Sequence, residues 1–105
     1  MLEISSAAVL YVKAAVRLRQ SGATVDPTGY TVQMAFLDDP DAVPVSGDWK
    51  TASWETDATT SPATYYARCL VGSAVTLTAG VYTMYVKVAG SPEVPVLKSG
   101  LVRVI

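Results

Sequence analysis

An all-β fold is what this sequence predicts, an antiparallel sandwich or small barrel of about seven short strands in one domain spanning residues 1–105. Apolar and polar residues alternate with period two through nearly every run, turn residues interrupt the chain at intervals of roughly 8 to 15 residues, and almost nothing reads as a helix. At 105 residues the chain has the size of one domain, and a globule that size buries roughly two-thirds of its unfolded surface, enough for a single core. Half the residues are apolar and 16% are charged, a composition that excludes a disordered segment.

The elements follow in order. In the run Tyr11 to Arg19, Val12, Ala14, Val16 and Leu18 share one face, while Lys13, Arg17 and Arg19 share the other. That is a half-buried strand; a helix would scatter those charges around its axis. Gln20-Ser21-Gly22 breaks the run, Asp26-Pro27 and Gly29 punctuate again, and a second strand resumes with Tyr30, Val32, Met34 and Phe36 inward. Asp38-Asp39-Pro40-Asp41, followed by Pro44 and Gly47, makes the longest loop. Trp49 to Glu55 reads as a third strand, Thr56 to Pro62 as a second polar loop, and Tyr65 to Val71 as a fourth strand closed by Gly72. Val75 to Leu77, the turn Thr78-Ala79-Gly80 and Val81 to Ala89 are punctuated like a hairpin, with Tyr82, Met84, Val86 and Val88 on one side. Gly90-Ser91-Pro92 turns the chain into a last strand or strand pair from Val94 to Ile105, where Pro95 suggests an edge and Gly100 a bulge or bend.

One local pattern favours the sandwich over the barrel. Leu77-Thr78-Ala79-Gly80-Val81-Tyr82 resembles the tyrosine corner of immunoglobulin-like domains, where a Tyr at the start of the sixth strand anchors the preceding turn through its hydroxyl. Two positions on, antibody domains carry a Cys and this chain has Met84. The expectation is an antiparallel immunoglobulin-like β-sandwich with no disulfide, in which Trp49 or Trp54 is the candidate large core aromatic.

The chemistry of the side chains narrows the function classes. With no His and one Cys, neither a Ser-His nor a Cys-His relay can form, and transition metals lose their commonest nitrogen ligand. The glycines are dispersed at turns, so no phosphate loop is present. Cys69 has no intrachain partner and its alternation places it inside a strand, as a small buried hydrophobe. Asp38, Asp39, Asp41 and Asp48 bring several carboxylates to one loop, which suits a hard cation such as calcium. They lack the EF-hand spacing, and Asp is equally a turn former. A net charge of −1, spread along the chain, provides no footprint for nucleic acid or an anionic membrane. The apolar run Ala7 to Val12 ends at Lys13, short of the ~20 residues of a membrane span, and no basic leader precedes it. The expectation is a non-enzymatic chain without metal or cofactor, made in a cytoplasm.

Aromatic residues are more numerous than one core face can take. Tyr65 and Tyr66 are adjacent in a strand and point to opposite faces, and Tyr82 and Tyr85 have opposite parity. Rings that reach the surface can anchor a protein interface or stack on sugars, so a carbohydrate-binding module using Trp49, Trp54 and a Tyr is an alternative. Both ends of the chain are strand-like, Leu2-Glu3-Ile4 and Leu101 to Ile105, and open sheet edges invite a partner.

Across nearly its whole length the chain resembles small immunoglobulin-like structural proteins encoded in the head and neck gene clusters of tailed bacteriophages of Gram-positive, high-GC hosts. The likeness rests on Leu2-Glu3-Ile4-Ser5, Tyr11-Val12-Lys13, Val25-Asp26-Pro27-Thr28, Val32 to Phe36, Gly47 to Glu55, Tyr66 to Gly72, Leu77 to Tyr82 and Pro92 to Pro95. None of these motifs encodes a reaction. The resemblance implies a virion structural protein, either a capsid decoration or cement protein or a head-tail connector, with a baseplate or fibre adaptor as a further alternative. It implies partners among other virion proteins, such as the major capsid protein and portal or neck proteins, in a symmetric assembly. The expected contact surfaces are the loops Asp38 to Gly47 and Thr56 to Pro62, the exposed tyrosines and the terminal strands. The candidate contact residues are Asp38, Asp39, Asp41, Tyr65, Tyr85, Leu101, Arg103 and Ile105.

Overall fold

The computed structural model describes residues 2–5, 7–20, 23–39, 41–60, 63–72, 76–89 and 96–105. They form β1 (Leu2–Ile4), β2 (Leu10–Val16), β3 (Leu18–Gln20), β4 (Ala23–Val25), β5 (Thr31–Leu37), β6 (Lys50–Thr51), β7 (Ser53–Asp57), β8 (Thr64–Val71), β9 (Gly80–Ala89) and β10 (Val96–Val104). A single 3-10 turn, Ser46–Asp48, is the only helical element among the described residues. A five-stranded sheet has the order β1-β10-β9-β5-β6, a three-stranded sheet the order β2-β8-β7, and β3 and β4 pair as a separate ribbon. All pairs are antiparallel except β1 with β10, which run parallel from Leu2 opposite Val102 to Ile4 opposite Val104.

Both sheets feed one core, an arrangement compatible with a β-sandwich. Ile4, Val32, Met34, Tyr82, Met84, Val86, Val88, Val102 and Val104 come from the larger sheet, and Val12, Ala14, Val16, Ala67, Cys69 and Val71 from the smaller. Period-two alternation therefore reports the inner faces of β2, β5 and β9 directly. The corner before β9 has the geometry its sequence suggests: the Tyr82 hydroxyl donates to the Thr78 carbonyl at 2.9 Å, with Thr78 Oγ1 3.1 Å away. Among the described residues the one cysteine, Cys69, is buried, free of any disulfide, and lies 3.3 Å from the Thr51 carbonyl, to which its thiol donates.

The structure divides several stretches differently from the sequence reading. The run Tyr11 to Arg19 is not one strand. Its partner β8 begins at Thr64 and the ladder ends at Val16 opposite Tyr65, so the chain leaves the sheet at Arg17 and β3 pairs with β4 instead. Trp49 to Glu55 is likewise two strands in two sheets: β6 pairs with β5, β7 pairs with β8, and Ala52 is the crossing point, its N–H donating to the Val32 carbonyl at 3.2 Å. Thr76 to Thr78 carry no strand, and β9 pairs with β5 and β10 rather than with the segment before it. The bulge expected near Gly100 is present, since the β9–β10 register slips between Lys98 and Gly100. Ser21-Gly22, Pro40, Pro62, Val75, Gly90-Ser91-Pro92 and Val94-Pro95 lie outside the described residues, as does the inward placement of the Leu18 side chain.

Candidate functional site

The two outer faces differ in what they leave available. On the three-stranded sheet, Tyr11, Lys13 and Ala15 of β2 stand opposite Leu70, Arg68 and Tyr66 of β8, and Ser53 and Glu55 of β7 stand opposite Arg68 and Tyr66. Glu55 receives Lys13 Nζ at 2.5 Å and Arg68 Nη1 at 3.1 Å. Arg68 Nε donates to Ser53 Oγ at 3.2 Å, its guanidinium lies 4.3 Å from the centre of the Tyr11 ring, and Lys13 Nζ lies 5.6 Å from that of Tyr66. Every charge on this lattice has a partner. The Lys13 bond, reinforced by the fields of Lys13 and Arg68, holds the Glu55 carboxyl below its ordinary value.

The outer face of the five-stranded sheet is built in another way. Ala35 is fully buried and Thr83 is 4% exposed although both point away from the core. The cover is the loop from Asp38 to Asp48, which folds back over β5 and β9. The Tyr85 hydroxyl donates to the Ala42 carbonyl at 3.2 Å, and Lys87 Nζ lies 4.7 Å from the centre of the Trp49 ring where the loop rejoins the sheet. Short turns shape the loop: Asp39 Oδ1 accepts the Asp41 N–H at 2.9 Å, and Asp48 Oδ2 accepts the Val45 N–H at 2.9 Å. Its tip is apolar and open to solvent, with Val43 76% and Val45 65% exposed.

Beyond the loop, among the described residues, the face is open at Val81 of β9 and along β10. Register places Leu101 beside Thr83, Lys98 beside Tyr85, Val96 beside Lys87 and Arg103 beside Val81. Val81 is 44% and Leu101 43% exposed. Glu3 stands opposite Arg103, 3.9 Å from it, a loose pair between two exposed side chains.

Six of the eight candidate contact residues gather here. Asp38, Asp39 and Asp41 lie exposed on the loop, Tyr85 ties the loop down, and Leu101 and Arg103 line the open strip. Tyr65 stands apart: it faces Val16 and Thr56 on the inward side of β8, so Tyr66 is the member of that pair on the outer face. Ile105 is exposed and extends the β1–β10 ladder, its N–H donating to the Ile4 carbonyl at 2.9 Å. The sequence reading included the loop Asp38 to Gly47 and the terminal strands but did not single out Val43, Val45 or Lys98, and it missed Val81. Their signal was two exposed valines in a loop otherwise made of turn formers, and a strand whose outward positions carry Val and Leu as well as charges.

No site for a metal or a stacked sugar is assembled from the candidate residues. Among the described residues no three His, Cys, Asp or Glu side chains converge. Trp54 turns toward the core and donates its indole N–H to the Tyr30 carbonyl at 2.8 Å, whereas Trp49 lies under Lys87, so the two rings share no platform. Among the described residues the shifted carboxyls all move downward. The Thr28 hydroxyl and N–H lower Asp26, the Thr59 hydroxyl and N–H lower Asp57, and Glu55 follows its two cations. No helix among the described residues is long and apolar enough to cross a membrane. No family model, curated protein or solved structure matches the chain.

Proposed function

We propose that this chain is a non-enzymatic structural protein of a tailed-bacteriophage virion, placed at the head or neck, where it acts as a capsid decoration or head-tail connector protein through protein–protein contacts. The observation that carries the proposal is the outer face of the five-stranded sheet, where exposed aliphatic side chains on β9, β10 and the loop tip stand beside Asp38, Asp39, Asp41 and Lys98, which enter no ion pair among the described residues. Surfaces of that composition, an apolar patch rimmed by polar groups, mark protein interaction sites. The opposite face spends its charges on itself.

The fold we propose is immunoglobulin-like. In that reading β2-β8-β7 stand for strands B, E and D, β10-β9-β5 for G, F and C, and β6 for a short C′ strand. The Tyr82–Thr78 bond is the tyrosine corner at the start of F, and Met84 fills the place of the missing disulfide. One departure is that β1 lies beside the last strand of the larger sheet instead of beside β2. Likeness to short phage head and neck proteins supplies the virion setting.

Quantitative mass spectrometry of purified virions of the encoding phage tests the reading. Copies rivalling the major capsid protein mean decoration of the shell, and a small ring-like number means the neck. Absence from the virion overturns the proposal.

A further inference from the structure

The open strip on the five-stranded sheet carries more than a general docking surface, because its charges are segregated. Asp38, Asp39 and Asp41 are exposed on the loop at the β5 side. Lys98 and Arg103 lie on β10, two strands away on the same face. Among the described residues no ion pair engages Asp38, Asp39, Asp41 or Lys98, and Arg103 has only its loose contact with Glu3. The apolar groups divide in the same way: Val43 and Val45 project from the acidic loop, and Val81, Val96 and Leu101 lie on the basic strip.

Apart from Glu3, which faces Arg103, and Lys87, which lies over the Trp49 ring, the face has its acids and raised aliphatics on one side and its bases and flat aliphatics on the other, and is complementary to itself under a two-fold rotation. Turning a second copy over this face sets its acidic loop on the β10 strip of the first, and the reverse contact forms by symmetry. We infer that the partner of this face is a second copy of the chain, in a two-fold dimer in which Val43 and Val45 of each copy pack on Val81 and Leu101 of the other, and Asp38 and Asp41 meet Lys98.

Size agrees with this. A stable interface removes about 800 Å² per partner, about an eighth of the 6252 Å² surface of the chain, and the sheet face with its loop is one broad side of a body measuring 41 × 31 × 21 Å. Pairing through the part of β10 before Val102, where β1 does not pair with it, would not serve as well. The bulge between Lys98 and Gly100 puts Leu97 on the inner side and Leu101 on the outer, so an antiparallel copy could not match both. The dimer stands or falls independently of the virion reading, since it draws only on the geometry of this face.

Sedimentation velocity over a wide concentration range, with charge-swapped variants, is the test. The wild-type chain should dimerise, more weakly as salt is raised. Lys98→Glu alone, and Asp38→Lys with Asp41→Lys, should each weaken dimerisation at least about tenfold, because each variant places like charges at both symmetric contacts. An equimolar mixture of the two variants should form heterodimers with an affinity within about threefold of wild type, since every contact is then again between opposite charges. These positions are exposed, and circular dichroism of each variant separates lost association from lost folding. A wild-type chain that stays monomeric, variants that dimerise like wild type, or a mixture that fails to recover association would each overturn the inference.

Discussion

At the scale of single residues, burial favours one protonation state at Cys69, and hydrogen bonding favours one at Asp26, Glu55 and Asp57. Burial pushes the Cys69 thiol up to about 11, so the nucleophilic thiolate is scarce at neutral pH and shielded by both sheets. A thiol reagent such as Ellman's should leave the folded chain unlabelled and react fully once denaturant unfolds it; rapid labelling of the native protein would contradict that burial. Three carboxyls contribute on the acid side. Asp26, Glu55 and Asp57 all have folded values below their ordinary ones, so the stability they contribute is fully present above the usual carboxylate range and is lost as pH falls through the depressed values. Denaturant midpoints measured from neutral pH downward should hold steady and then fall below the ordinary carboxylate range. Glu55→Gln should make that fall shallower, with no change of slope near neutrality.

At the scale of elements, the outcome turns on where neighbouring segments leave room. Gly72 closes β8 with φ +95, and a Cβ there would lie 2.4 Å from the Ala8 carbonyl oxygen. Gly72→Ala combines a left-handed backbone with a clash against another backbone, so we expect a loss of about 2 kcal/mol or more in chemical denaturation. The loop from Asp38 to Asp48 depends on a lighter tie. Tyr85→Phe removes the bond to the Ala42 carbonyl, at a cost of about 1 kcal/mol. Amide exchange should rise through residues 38–48 and leave the core strands β2 and β9 unchanged. Uniform faster exchange would mean that the loop is not a separate unit.

Much of this level was legible in advance. The inward sets of β2, β5 and β9 and the bulge at Gly100 follow from period-two alternation and from glycine itself. The burial of Ala35 and Thr83 was not legible, because both occupy outward positions and are covered by a loop returning from elsewhere in the chain. The break at Arg17 and the crossing at Ala52 were hidden for a related reason: each is set by where a partner strand begins or ends, which no local pattern records. Alternation established that Tyr65 and Tyr66 face opposite ways, but only pairing with Val16 and Thr56 shows that Tyr65 looks inward.

At the scale of the whole molecule, two outer faces of one body are set for different tasks. The β2-β8-β7 face closes its charges into Lys13–Glu55–Arg68 with two tyrosine rings, which leaves little for a partner. The β1-β10-β9-β5-β6 face, the loose Glu3–Arg103 pair aside, leaves Asp38, Asp39, Asp41 and Lys98 without ion pairs among the described residues and its aliphatics open. On the reading proposed here, assembly uses the second face and leaves the first in solvent. Hydrogen exchange of the chain in intact virions, compared with the dilute free chain, tests that claim most directly. The account predicts added protection in residues 38–48 and 96–103, with the segments 10–16 and 64–71 unchanged. Protection gained on the Lys13–Glu55–Arg68 face instead, with the loop and β10 exchanging as in the free chain, would contradict it.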